Sequence, residues 1–563
     1  MSSNKITVPE VPDGFTLHTE NTSHILLSSN EAFLNPVQEF NRDLSVACIR
    51  VWSEELHEFK KAKWLRAQEK RATKQKKRKV DGAADVSEIP PAPASTEQRE
   101  YPHSKFVILE ALSATGLRSI RYAKEIPHVS HILANDLSSA ATAAMKRNIE
   151  LNGLGPRPPP PKSEGEAPNH TTKPVEIRVN EGDACTLMYN HREPSKRVDV
   201  VDIDPYGTAA PFIDAAVQCV RDEGLLCITC TDLAVLATAN FPEKCFSNYG
   251  GIPIKSEYSH EAALRLVLNA VSTSAARYGR YIEPLLSLSI DFYVRLFIRI
   301  GSSPMQVKRA ATKTSTYWIC SNCQSFHGQP LARVTETPQP NGSINYNFKL
   351  SGGPSVPDRC TECNSILHMA GPMWSAPIHS PDFVAKVLNH LENNESNYGT
   401  ATRMKGMLTV AKEELPDCPF YFTPSKVSKL FHCVTPSFEN MGSALLNGGY
   451  NISRSHASAG SIKTNATNAD IFDIYRSWVK THPVKMENIS PTSPAHTMLS
   501  KEPKIEANFT AHPDINKYTS RIKLVRYQEN PTPNWGPGSK AVSGTGPPGK
   551  RKHAEVETKD EEE

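Results

Sequence analysis

Val200-Val201-Asp202-Ile203-Asp204-Pro205-Tyr206-Gly207 decides how this chain is read, because an apolar strand runs there into an acid, a proline and an aromatic ring. The trio suits chemistry on an exocyclic base amine, which is a poor nucleophile since its lone pair is delocalised into the ring. A catalyst for such an amine must hold its protons, stack the base and aim it at an electrophile. Asp204 accepts a proton or a hydrogen bond. The Pro205 ring fixes the backbone so that nearby carbonyls point one way, and Tyr206 offers a face for an extruded base. The same residues also fit a strand that ends in a plain turn, since Asp-Pro followed by Gly is ordinary turn chemistry.

Outward from that strand, residues 105–300 alternate strand-like and helix-like segments, the pattern of an α/β fold whose mostly parallel sheet is covered by helices. Seven strands are expected, at 106–110, 131–135, 175–179, 198–204, 224–231, 282–289 and 291–300. The helices fall at 116–126, 137–151, 209–221 and 259–277, with Gly153 as the stop for the second. The last two strands abut with no room for a helix, so they pair antiparallel at one edge. Residues 154–174 are Pro-rich and read as a surface insertion, and 81–100 as a similar linker. Beyond residue 300 the pattern is less regular, with a cysteine-bearing segment and then helices at 381–392, 424–433 and 469–480.

In such a sheet, ligands bind where the carboxyl ends of the strands meet the following loops. The loop Glu110-Ala111-Leu112-Ser113-Ala114-Thr115-Gly116-Leu117-Arg118 has small residues that admit a ligand to the backbone, but its single glycine is a weak nucleotide fingerprint and argues against a nicotinamide dehydrogenase. Asn135-Asp136 ends the second strand where a ribose diol is gripped, and Gly182-Asp183-Ala184 ends the third where an acid and a small residue read an adenine edge. Each acid alone is as well explained as a helix cap.

Composition narrows the classes. The chain has 563 residues, 38% hydrophobic, with 44 prolines and a net charge of +4, which fits two or three globular domains with long loops. No apolar run approaches the ~20 residues a bilayer span needs, so no membrane partner is expected. The N-terminus carries neither a signal peptide nor an Arg-rich transit sequence. Charge is uneven: residues 60–79 hold eleven basic residues and one acid, a run suited to phosphate binding, to nuclear address or to a solvated helix.

Twelve cysteines in a reducing compartment read as core residues, ligands or catalytic thiols. Cys320 and Cys323 form one Cys-x-x-Cys knuckle, Cys360 and Cys363 another, with 36 residues between them. Two knuckles supply four thiolates to a tetrahedral Zn2+ with no open position, hence a structural site; a single redox-active pair is the weaker reading. Residues 346–350, between the knuckles, have strand character, as in a zinc ribbon. His327 and His368 are nearby substitutes that four cysteines make unnecessary.

An acid after strand two, another after strand three and Asp-Pro-Tyr after strand four together resemble S-adenosylmethionine-dependent methyltransferases acting on amines. The match tightens with Phe33-Leu34-Asn35-Pro36, Glu39-Phe40-Asn41-Arg42-Asp43-Leu44-Ser45 and Ser113-Ala114-Thr115-Gly116-Leu117-Arg118. With Asn135-Asp136, Gly182-Asp183-Ala184 and Asp204-Pro205-Tyr206-Gly207, these resemble, in order, the tRNA guanine-26 dimethyltransferase family over roughly residues 10–480.

The resemblance implies a Rossmann-like, seven-stranded class I methyltransferase domain with a second α+β domain bearing a zinc-ribbon-like element. It implies transfer of one or two methyl groups from S-adenosylmethionine to the N2 amine of guanine 26 in tRNA. Arg42, Arg118, Asp136, Asp183 and Ala184 are then cofactor contacts, Asp204 the group that engages the amine, with Pro205 beside it, and Phe33 and Tyr206 the rings that flank the base. The family often has an aromatic residue where Leu34 stands.

The expected division is an N-terminal segment 1–100 (motif at 33–45, basic linker 60–100), a methyltransferase domain 101–300, a tRNA-binding region 301–535 with the four-cysteine zinc site, and a disordered tail 536–563. Basic clusters at 76–79 and 550–552 favour the nucleus, with mitochondrion or cytoplasm as further destinations. A monomer is the default. Rival functions are methylation of an adenine amine in RNA or DNA by the same fold, and a catalytically silent tRNA-binding protein.

Overall fold

The computed structural model describes residues 11–28, 34–81, 101, 105–155, 175–353 and 356–518. Phe33, most of the 154–174 insertion, the 82–100 linker, the 536–563 tail and the 550–552 basic cluster lie outside these.

A hairpin of β1 (Phe15–Glu20) and β2 (Ser23–Ser28) precedes a 43-residue helix, α1 (Glu39–Asp81). The alternating region then contributes β3 (Phe106–Glu110), α2 (Leu117–Glu125), β4 (Val129–Asp136), α3 (Ser139–Leu151), β5 (Glu176–Glu181), α4 (Ala184–Asn190) and β6 (Val198–Ile203). It continues with α5 (Ala210–Cys219), β7 (Val220–Cys230), α6 (Leu233–Leu236), α7 (Pro242–Tyr249), α8 (Ser259–Arg277), β8 (Arg280–Ile290) and β9 (Tyr293–Ser302).

The seven strands form one sheet in the order β5-β4-β3-β6-β7-β9-β8, the first five parallel and β9 antiparallel to both neighbours. The sequence reading of seven strands with an antiparallel edge is therefore the observed one. Successive residues of β3 face opposite cores: Ile108 packs with α1, α2 and the later α-helical layer, Leu109 with α5 and α8. Burial of both faces is why β3 and β6 read as apolar runs with no alternation. Each fully buried Ile, Leu or Val contributes about 1.5–3 kcal/mol.

The helix expected to run to residue 221 ends at Cys219, and β7 begins at once with Val220. The buried Arg280 explains the stop, since its guanidinium donates to the carbonyls of Val217, Val220 and Arg221 where the helix would have continued. A register shift in β7 and Glu223 at φ +58° then swing the strand into line.

The expected basic linker is helical as far as residue 81. Phe40, Leu44, Ala47, Cys48, Val51, Trp52 and Leu56 of α1 are buried against the sheet at helical spacing. Past Lys60, whose ammonium sits 2.9 Å from Asp199, the same helix runs on into solvent.

The second region begins with α9 (Pro304–Arg309), β10 (Thr314–Cys320), β11 (Phe326–Pro330), β12 (Ala332–Pro338), β13 (Ile344–Leu350) and β14 (Leu367–Trp374). After these come α10 (Pro381–Asn393), α11 (Ala401–Glu413), α12 (Pro424–Leu430), α13 (Phe438–Asn447), β15 (Ile452–Ser455), β16 (Ser458–Thr464) and α14 (Asn468–Thr481). The ribbon sheet is β11-β10-β14; the strand expected at 346–350 lies instead in a separate hairpin, β12 with β13. Among the described residues no helix is long and apolar enough to cross a membrane.

The edge strand β8 is closed by the second region. Its outward groups at alternate residues each find a partner: Ser380 N–H donates to the Leu285 carbonyl (2.9 Å), Ser287 N–H to His379 Nδ1 (3.3 Å) and Ser289 N–H to His456 Nε2 (3.1 Å). An exposed edge invites pairing with another chain, and here two imidazoles satisfy it.

Candidate active site

At the carboxyl edge of the sheet, the first loop, the N-terminal turn of α1 and the Asp-Pro-Tyr-Gly turn border an open cleft. Arg42, Arg118, Asp204, Pro205 and Tyr206 all line it, with Leu34, Glu110, Ser113 and Thr231. Five of the residues expected from the sequence are thereby brought to one place.

The first loop reaches the cleft by backbone conformations that few residues adopt. Ala114 has φ +47° and Gly116 φ +78°, and a Cβ on Gly116 would stand 2.7 Å from Cγ of Met145. Asp136 fixes this loop: its carboxylate accepts from Ala114 N–H (2.9 Å) and Ser138 N–H (2.9 Å). Asp136 therefore touches the cleft wall without lining the cavity. Asp183 stands one strand further out, caps α4 by accepting from Thr186 N–H (2.7 Å), and precedes the buried Ala184; neither lines the cavity. Asn135 joins the two strand ends, donating to the Ala111 (2.9 Å) and Gly182 (3.1 Å) carbonyls.

Beneath the cleft is a buried ionic floor. The Arg118 guanidinium pairs with Asp204, lies 3.6 Å from Asp202 and 3.7 Å from Glu110, and donates to Ser45 Oγ at 2.9 Å. Arg295 donates to the other oxygen of Asp202 (2.8 Å) and also to Ser45 Oγ (2.9 Å). The Tyr122 hydroxyl donates to Asp202 at 2.5 Å, and Asn41 reaches toward Asp204 at 3.5 Å.

Burial is the largest influence on Asp202, Arg118 and Glu110. It would raise the Asp202 carboxyl, but Arg295 and Arg118 overcome it and hold that carboxyl below its ordinary value. Burial works against the Arg118 charge too, yet Asp204 and its neighbours keep the guanidinium firmly protonated. Glu110 is the exception: burial prevails over Arg118 and pushes it up to about 8, so it is the neutral acid of the floor at pH 7. Partial burial and the Asp204 charge push the Tyr206 phenol up to about 12, leaving a neutral ring with 44% of its surface exposed.

Arg42 lines the cleft, but its guanidinium turns to Glu20 of the hairpin, with Nε 2.8 and 2.9 Å from the two oxygens. Burial would raise Glu20; the His18 hydrogen bond and the Arg42 and Arg121 charges overcome it and hold the carboxyl far below the usual range. Sequence reasoning assigned no role to Glu20, Ser45, Glu110, Asp202 or Arg295. Arg295 did leave a signal, one of two arginines in an otherwise apolar strand, where burial demands an acid beside it. Glu20 left none.

The four cysteines meet away from the cleft. Cys320 and Cys363 Sγ atoms lie 3.3 Å apart, Cys323 and Cys360 3.5 Å, and all four sulfurs within 4.8 Å of one another. Thiolates at about 2.3 Å from a tetrahedral Zn2+ stand about 3.8 Å apart, so the set fits a closed zinc site. Neither His327 nor His368 belongs to it. His379, Glu414 and His456 also converge, but they do not suit a metal. The outer nitrogen of each ring accepts a backbone N–H, which puts the proton on the inner one, and the Lys463 ammonium is 3.1 Å from Glu414.

A family model described as N2,N2-dimethylguanosine tRNA methyltransferase matches residues 14–476. The tRNA (guanine(26)-N(2))-dimethyltransferase of Schizosaccharomyces pombe is 43% identical over 549 residues, 96% of this chain and 94% of that one. That of Homo sapiens is 39% identical over 94% of this chain and 78% of its own length. A mitochondrial form from Saccharomyces cerevisiae is 38% identical, over 93% and 92%. The solved structure of Trm1 from Pyrococcus horikoshii with S-adenosyl-L-methionine is similar in fold, with a TM-score of 0.58 at 23% identity, covering 83% of this chain and 99% of that one.

Proposed function

The chain belongs to the N2,N2-dimethylguanosine tRNA methyltransferase family, and from that premise we propose that it methylates the exocyclic N2 amine of guanine 26 in tRNA once or twice, using S-adenosylmethionine. The observation that carries this reading is the placement of Asp204, held by Arg118, at the mouth of a cleft floored by fixed charges. S-adenosylmethionine supplies the electrophilic methyl group. Its adenosine half belongs on the side of the first loop, with Asp136 as the ribose-binding acid and Asp183 and Ala184 beside the adenine; Arg42 and Arg118 complete the cofactor side.

Guanine must leave the stack to enter such a cleft, at a cost of a few kcal/mol. Tyr206 and Phe33 offset this by flanking the base, at about 1–3 kcal/mol per stacked ring. Asp204, held by Arg118, accepts a hydrogen bond from the amine, orients its lone pair and stands where it can take the proton released on transfer. Pro205 fixes the turn. Each of these is a positioning contribution, and positioning can lower a barrier by several kcal/mol.

Residues 301–535 are the part assigned to the tRNA backbone, with Cys320, Cys323, Cys360 and Cys363 holding a structural Zn2+ that maintains the ribbon. The basic runs support a nuclear destination. The test is a labelled methyl-transfer assay on unmodified transcripts carrying guanine or adenine at position 26, followed by nucleoside digestion. N2-methylated and dimethylated guanosine from the guanine transcript alone is the expected result. Label in adenosine, or none in either transcript, overturns the reading.

A further inference from the structure

Gln38 lines the cleft together with Asp204 and Tyr206, on a turn held by its own neighbours. Asn35 caps the short helix Pro36–Gln38, its side chain accepting from Val37 N–H at 3.0 Å and its carbonyl from Gln38 N–H at 3.1 Å, and Val37 is buried beneath. Asn41, fully buried near the start of α1, joins Gln38 to the acid. Its Nδ2 lies 2.9 Å from Gln38 Oε1, 3.4 Å from Thr229 Oγ1 and 3.5 Å from Asp204 Oδ2.

These contacts fix the direction of both amides. An ionised carboxylate only accepts, so Asn41 must turn its nitrogen to Asp204, and that nitrogen can meet only the oxygen of the Gln38 amide. Gln38 thus commits its oxygen, while among the described residues its NH2 group has no hydrogen-bond partner. The carboxylate is likewise half used: Arg118 and Asn41 both reach Asp204 at Oδ2, and among the described residues Oδ1 has no partner. The cleft lining therefore offers an open acceptor and an open donor, linked through one buried asparagine. Other lining donors are taken, Arg42 by Glu20 and the Ser113 and Thr231 hydroxyls by the carbonyls of Glu110 (3.3 Å) and Gly207 (3.5 Å).

Guanine presents along one edge the N2 amine, the N1 hydrogen and O6, with donors at one end and an acceptor at the other. An extruded base is read by hydrogen bonds to that edge. With the amine on Asp204, O6 remains to be paired, and a carbonyl desolvated without a donor costs binding. We infer that the Gln38 NH2 group donates to O6 of the extruded guanine and so selects a 6-oxo purine, an inference that rests on the methyltransferase reading above. The Gln38 oxygen, by holding Asn41 against Asp204, ties recognition of the base to the acid that orients its amine.

The test uses the full chain, its Gln38→Glu and Gln38→Met variants, and two otherwise unmodified transcripts carrying guanine or 2,6-diaminopurine at position 26. The analogue keeps the N2 amine and puts an amino group in place of O6. Gln38→Glu keeps an oxygen for Asn41 and replaces the donor with an acceptor. Its kcat/KM for the guanine transcript is expected to fall about 10- to 100-fold while that for the analogue holds or rises, so the preference for guanine narrows by at least about tenfold. Gln38→Met, which offers neither group, narrows the preference in the same direction. The melting temperature and the affinity for S-adenosylmethionine, followed by calorimetry, stay unchanged. Equal losses on both transcripts overturn the proposal, because Gln38 then acts only by shaping Asp204, and so does a preference that matches the parent's. A parent chain that labels neither transcript sinks the methyltransferase reading and this inference with it, a result distinct from equal losses beside an active parent.

Discussion

The floor of the cleft and the junction behind β8 are both buried clusters of opposite charges, and they spend that charge differently. In the floor, Arg118, Arg295, Asp202 and Asp204 rise to a surface that opens on the cleft, and Asp204 keeps 20% of its side chain exposed. In the junction, Glu261, Glu414, Lys463, Arg265, His379 and His456 are closed from solvent, and their hydrogen bonds go to each other and to the backbone. A buried ion pair adds little net stability over a well-packed apolar core, whereas removing one member leaves the other stranded. The floor therefore reads as reactivity held in place, and the junction as a fastening between the sheet and the second region.

The widest separation between them is expected from two substitutions. Asp204→Ala should lower kcat by about 10²–10⁴-fold, the scale of a positioned acid–base group. Melting temperature and S-adenosylmethionine affinity, followed by calorimetry, should change little, because solvent reaches the gap and Arg118 keeps Asp202 and Ser45. Glu414→Ala should do the opposite. Lys463 and His456 lose a partner inside the protein, and denaturant unfolding should show a loss of about 3–5 kcal/mol. Turnover per folded molecule should be near normal. If Asp204→Ala unfolds the protein while Glu414→Ala spares it, the comparison is inverted.

Ser45→Ala sharpens the contrast within the floor. One hydroxyl serves both Arg118 and Arg295, so its removal should cost about 1–3 kcal/mol and slow turnover without altering tRNA binding. The smallest effect is that of mild acid on the junction. Burial lowers the His379 pKa beneath its ordinary 6.5, against the pull of Glu414, with His456, Lys463, Glu261, Arg265 and His260 as the other titratable or charged groups around it. The unfolded chain then binds more protons than the fold below pH 6.5, so stability falls as pH falls through that value, by up to about 1.4 kcal/mol per pH unit for each such ring. His390, pushed down to about 4 by burial and Arg50, adds in the same direction between 6.5 and 4. Thermal melts from pH 7.5 to 5.5 should show this, and His379→Gln should flatten the profile. A melting temperature that rises on acidification would contradict it.

What could be read from the residues follows from how local each signal is. The apolar runs of β3 and β6, the turn chemistry of Asp204-Pro205 and the spacing of the four cysteines are properties of contiguous stretches, and they placed the sheet, the cleft turn and the metal site. The boundary at Cys219 escaped because Arg280, some sixty residues away, ends that helix. The β1–β2 hairpin escaped because a two-stranded piece is too short to announce itself, and Glu20 acquires its meaning only beside Arg42 and Arg121.

The chain's own order of letters determined the class of fold, the family and which acids stand at strand ends, because these depend on periodicity and on short motifs. Tertiary structure decided which of those acids face the cavity. Asp204 lines it, Asp136 braces its wall and Asp183 caps a helix, since the choice is set by neighbours that burial and charge bring together from distant parts of the chain.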